Sequence, residues 1–196
     1  MSVIVNFKLS IPQWLDRILV CPLLFCRWLS YGYSFRLLPL SRGKYAKVDQ
    51  ADYYNLVKFK WSVLDEGKNL YAVHTFFDEH TGKRVFVLLH RFIANPPADM
   101  VVDHENSDGL DDRRANLRVA TQAQNVWNSR KTSKPTSSKY KGVYWHKKNR
   151  NWRACIHVNN RSIDLGSYDN QVDAARAYDR AAKKLRGVFA RLNLPD

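Results

Sequence analysis

VVDHENSDGLDDRRANLRVATQAQNVWN, residues 101–128, decides how this chain is read. The stretch sets an acidic Asp103–His104 pair and a series of asparagines inside a chain whose net charge is +14. A solvated loop explains the polarity. It does not explain the places of Asp103, His104, Asn116 and Asn125. The pattern opens as a strand, continues as a long polar loop and closes as a helix. Thr121 with Gln124 three residues on forms a capping box, which marks the helix start.

Outward from this stretch, the 196 residues allow one ordinary domain or two small ones. Hydrophobic residues make up 45% of the chain, enough for a core. The charge and a pI near 9.8 call for a polyanionic partner, nucleic acid before a membrane surface. Cys21, Cys26 and Cys155 form no C-x-x-C pair and no disulfide framework, so a reducing compartment is the simplest setting. Residues 1–36 are apolar and aromatic, but Asp16, Arg17 and Arg27 interrupt them. The longest clean run, ILVCPLLFC, falls far short of the ~20 residues that cross a bilayer. The charge pattern also argues against a signal peptide. This segment is expected to be a poorly ordered leader.

KYAKVD, VKFKWSVL, LYAVHTFF and RVFVLLHRFIA read as short β-rich runs from residue 44 to 94, with DEGKN and DEHTGKR as turns. NPP at 95–97 ends this part. Residues 129–138 form a basic Ser/Lys/Pro linker without apolar periodicity. Beyond it, YKGVYWH, NWRACIHVN and RSIDLGSYD read as three strands, joined by KKNRN and by Asn159–Asn160. NQVDAARAYDRAAKKL then has helical spacing, and Gly187 stops it. The fold class is α+β.

LHR (89–91), VDH (102–104), NLR (116–118) and the T-x-x-x-N from Thr121 resemble the HNH endonucleases, in the homing branch with Asn replacing the last His. The resemblance covers residues 37–128 and implies a ββα-metal core at about 85–128. His104 to Asn116 is twelve residues and Asp103 to Asn125 is twenty-two, as in that branch. Phosphodiester hydrolysis needs a base for water and a cation to offset charge on phosphorane and leaving oxygen. The resemblance makes His104 the base, Asp103 and Asn125 the hard oxygen ligands of Mg²⁺ or Mn²⁺, and Asn116 the residue that ties down the loop. Neighbours on a regular strand face opposite ways, so the strand must end or twist at Asp103–His104. Asn128, one turn past Asn125, is a second ligand or a polar helix residue. His90 hydrogen-bonds the site or sits beneath it. Arg118 supports a phosphate or the acidic loop.

YKGVYW, NWRACI, LGSYD, AARAYDRAA and ARLNLP make residues 139–195 similar to the APETALA2/ethylene-response-factor DNA-binding domain. That family lays a three-stranded antiparallel sheet in the major groove, with one helix packed behind it. The residues agree with this. Trp152, Ala154, Ile156 and Val158 alternate with Arg153, Cys155 and His157. The first set suits the helix. The second, with Lys141, Tyr144 and His146, makes a polar face for base edges. Lys147, Lys148, Arg150 and Arg161 suit phosphates at its rim. Asp164 on that face would repel phosphate unless it accepts from a cytosine amino group.

The sequence therefore reads as a two-module, site-selective DNA endonuclease, hydrolysing double-stranded DNA with one divalent cation. It is expected to be a monomer, to need no small-molecule cofactor and no membrane, and to work in a bacterial or phage-occupied cytoplasm. The rival reading is a DNA-binding protein whose nuclease half is inactive.

Overall fold

A computed structural model describes residues 12–67, 69–130, 136–158 and 161–195. Helix and strand are mixed, and every sheet is small and antiparallel, as an α+β chain requires. Two compact units emerge: residues 1–93 with the loop 108–116, and residues 94–107 with 117–196.

In the first unit, residues expected to form a disordered leader instead build a helix, α1 (Gln13–Tyr31). It ends at Gly32 in the left-handed region, φ 76°, whose N–H closes on the Trp28 carbonyl at 2.8 Å. The charges that break its apolar run are what dock it. Asp16 accepts from Arg36 at 2.9 Å and from the Tyr54 hydroxyl at 2.7 Å, while Arg27 donates to the Phe35 carbonyl at 2.5 Å. Of the whole helix only Val20 is buried. Among the described residues, no helix is long and apolar enough to cross a membrane.

Strands β1 (Arg36–Pro39) and β2 (Tyr45–Val48) pair antiparallel and turn Leu38, Ala46 and Val48 inward, and α2 (Gln50–Leu56) follows. A three-stranded meander comes next, β3 (Trp61–Asp65), β4 (Leu70–Asp78) and β5 (Lys83–Leu88). The run RVFVLLHRFIA is not all strand, because its second half is a helix, α3 (Leu89–Ala94). Leu89, His90 and Ile93 are its buried residues, a spacing that matches one helical face. Asn95, at φ 43°, and the prolines after it prevent continuation.

The second unit opens with β6 (Val101–His104), which pairs antiparallel with β7 (Leu117–Ala120), a strand not foreseen in the polar stretch. Helix α4 (Gln122–Asn128) follows with the expected capping box: Thr121 Oγ1 accepts the Gln124 N–H at 3.2 Å and Gln124 Oε1 accepts the Thr121 N–H at 2.8 Å. The remainder is a sheet of order β10-β9-β8, from β8 (Val143–His146), β9 (Asn151–Val158) and β10 (Arg161–Tyr168), covered by α5 (Gln171–Arg186). Asn170 caps α5, accepting from Val172 and Asp173. Ala154 and Ile156 are fully buried against Ala174, Ala175, Tyr178 and Ala182. Small helix residues let α5 lie close to the sheet. Burying a side chain such as Ile156 contributes about 1.5–3 kcal/mol. Gly142, at φ 73°, lies under the Tyr178 ring where a Cβ would collide. The Asn159–Asn160 turn and linker residues 131–135 lie outside the described residues.

Candidate active site and nucleic-acid interface

β6 ends at His104, and its register with β7 stays regular through both residues, Asp103 opposite Arg118 and His104 opposite Leu117, so the expected break does not fall between them. Both Asp103 and His104 are buried, at 4% and 7% exposure. The chain then turns, with Ser107 at φ 59° and its N–H on the His104 carbonyl at 2.9 Å. Register places Arg118 of β7 directly across from Asp103, so the two side chains share a face. Arg118 Nε donates to Asp103 Oδ2 at 3.2 Å, and Nη2 makes a shorter bond to the same oxygen. From α4, Asn128 Nδ2 reaches Asp103 Oδ1 at 2.9 Å, Oδ2 at 3.1 Å and the His104 carbonyl at 2.9 Å. Asn128 thus fastens the end of β6 to α4, a role that neither sequence reading gave it. Asn125, one turn earlier on α4, is half-buried.

Arg118 has further partners. Its Nη1 donates to the Val188 carbonyl at 2.6 Å, and its guanidinium lies 4.6 Å from the centre of the Phe189 ring. Of the two expected roles, a phosphate or the acidic loop, these contacts fit support of the acidic segment that carries Asp103. Glu105 lies 3.8 Å from it.

The intervening loop is held within the first unit. The Lys47 N–H donates to the Leu110 carbonyl and the Asp112 N–H to the Lys47 carbonyl, both at 2.8 Å. Arg113 grips Asp111 through two bonds of 2.7 Å and stacks 3.4 Å over Tyr33. Arg114 does the same to Asp52 at 2.8 Å. Asn116 Nδ2 donates to the Asp111 carbonyl at 2.7 Å, a bond of the loop-tying kind. Asp112 is a buried acid that the sequence reading passed over. Asp111 beside it is equally buried, and acids in a polar loop do not reveal from sequence that they turn inward.

On the sheet, Tyr144, Lys147, Lys148, Arg150, His157 and Arg161 are exposed, and Arg153 and Cys155 half-buried. Arg153 pairs with Asp164 across the strands, which neutralises the carboxylate expected to repel phosphate. His146 Nδ1 accepts the Asn149 N–H at 3.2 Å and shapes the β8–β9 turn. Lys141 is differently engaged. Its Nζ donates to the carbonyls of Trp127 and Ser129 at 2.8 Å and of Val126 at 3.4 Å, satisfying acceptors at the C-terminal end of α4. Burial pushes its ammonium down to about 8, with Arg186 and Arg191 adding to the effect.

Comparison with known proteins agrees with both halves. The HNH endonuclease family matches residues 88–126 and the AP2 domain family residues 138–188. An uncharacterised HNH endonuclease of Acanthamoeba polyphaga mimivirus is 33% identical over 83% of this chain and 81% of its own length. Protein 3.8 of Escherichia phage T7 is 34% identical over 48% of this chain and 77% of its length. The AP2-like ethylene-responsive transcription factor TOE2 of Arabidopsis thaliana is 39% identical over 36% of this chain, but that covers only 15% of the plant protein. The chain belongs to the HNH endonuclease family and carries an AP2-type DNA-binding domain. It is a nuclease by kinship, of a family that generally uses a divalent metal, and both domains imply DNA as partner.

Proposed function

We propose that the protein is a site-selective endonuclease of the homing type that cuts double-stranded DNA with one divalent cation and His104 as general base. The observation that carries this is the presence, in one compact unit, of β6, β7 and α4 together with the three-stranded sheet. The polar face of that sheet reads the groove, and the hairpin acts on the backbone. The protein works as a monomer, in a cytoplasm where a bacterial or phage genome is accessible.

His104, at the end of β6, takes a proton from the attacking water. Asn116 and Asn128 hold the segments on either side of it. The donor set fits a hard cation. Arg118 approaches Asp103 only at Oδ2, and Oδ1 receives one N–H from Asn128, so Oδ1 keeps an acceptor position. Asp103 and Asn125 would hold Mg²⁺ or Mn²⁺, which supplies charge stabilisation at the phosphate.

Selection on a random duplex pool with Mg²⁺ tests the reading. A single consensus with a cut at a fixed offset supports it; a consensus bound but never cut leaves only a DNA-binding protein. Calorimetric Mn²⁺ titration of Asp103→Asn tests the ligand assignment, since a variant that removes a true ligand loses the ion.

A further inference from the structure

The sheet and the hairpin account for reading and cutting, but not for a pocket elsewhere in the second unit. It is an open basin of about 410 Å³ lined by Arg130, Lys139, Lys141, Arg191 and Asn193, among others, with no carboxylate on its wall. Among the described residues, Arg130, Lys139 and Arg191 form no ion pair. Lys139 lies 5.2 Å from the Tyr140 ring, which restrains its position. The nearby acid is already engaged: Asp179 accepts the backbone N–H groups of Asn193 at 2.8 Å and Leu194 at 2.9 Å. Asn193 in turn exchanges bonds with the Lys141 backbone at 2.6 and 3.0 Å, so the wall is rigid. Burial is the main cause of the lowered Lys141 ammonium, and the positive charges of Arg186 and Arg191 add to it. Arg191 Nη1 also reaches Ser107 Oγ at 3.4 Å, three residues past His104.

We propose that Arg130, Lys139 and Arg191 form a seat for one backbone phosphate of the DNA duplex, beside the end of the strand that carries His104. This rests on the reading that the chain acts on DNA. Uncompensated cations on a rigid wall attract a polyanion, and their position fixes register rather than base sequence. A phosphate held here would position the strand between the groove-reading sheet and the hairpin.

The test is fluorescence anisotropy of full-length protein with its duplex, in EDTA, over a range of salt. Wild type is compared with the double variant Arg130→Gln/Arg191→Gln, with Arg191→Lys, and with Arg84→Gln on the exposed β5 hairpin as a control. Circular dichroism confirms that the double variant folds. We expect the slope of log K against log salt to shallow by about 0.9 for one lost phosphate contact. Arg191→Lys should keep the slope, and Arg84→Gln should leave it unchanged. An unaltered slope in the double variant overturns the seat, as does an equal change in Arg84→Gln, which would indicate a diffuse basic surface. Binding of inorganic phosphate that the double variant loses without a change in duplex slope also overturns it. Wild type that fails to bind any duplex removes the parent reading instead, whereas binding with normal cleavage and no slope change removes only the seat.

Discussion

Replacing Arg118 by methionine isolates the contact on which the geometry of β6 most depends. The Asp103 and Arg118 side chains are 4% and 15% exposed, so the acid is buried and the guanidinium mostly so. Removing one partner of such a pair costs about 3–5 kcal/mol, because an unpaired charge is left behind. Arg118 is partly open to solvent and Asn128 still donates to Asp103, so the low end applies, about 3 kcal/mol. For a chain of this size that corresponds to a midpoint lower by roughly 6–12 °C. Urea unfolding should show a lower midpoint concentration at unchanged slope. The double variant Arg118→Met/Asp103→Asn should recover part of the loss, about 1–2 kcal/mol, because the stranded charge is gone. A loss below about 1 kcal/mol in the single variant, or no recovery in the double, would refute the buried-pair account.

Three further outcomes follow from other contacts. The Lys141 value of about 8 lies below the unfolded value near 10.5, so between them the unfolded chain binds more protons and stability rises with pH. Lys141→Met should remove that rise in unfolding measured from pH 8 upward. Hydrogen bonds from Arg36 and Tyr54 hold the Asp16 carboxyl below its ordinary 3.8, so its contribution is present above that pH and fades as pH falls through the lower folded value. Asp16→Asn should therefore loosen α1 at neutral pH, seen as faster limited proteolysis within residues 12–36. Gly142→Ala must place a methyl against the Tyr178 ring at positive φ and should destabilise the unit by about 3 kcal/mol in thermal unfolding.

Much of this was legible where the sequence carried a local rule. The alternation in NWRACIHV marked which residues of β9 face α5, and Thr121 with Gln124 marked the start of α4. Elements that depend on distant partners were not legible. Asp16 reads as an interruption until Arg36 and Tyr54 are seen to receive it. LHRFIA continues an apolar run, and six residues are too few for periodicity to separate helix from strand. Lys141 reads as a groove cation, yet its acceptors are carbonyls more than ten residues earlier in the chain. Asn128 shares a helical face with Asn125, so spacing alone could not say which would meet Asp103.

Supercoiled plasmid incubated with Mg²⁺ and either wild-type protein or His104→Ala tests the central claim most directly, with matched samples in EDTA. Wild type should convert the plasmid to nicked or linear forms, while His104→Ala and the chelated samples leave it intact though still bound. Equal cutting by His104→Ala would contradict the assignment of the base, and intact plasmid with folded, DNA-bound wild type would contradict hydrolysis altogether.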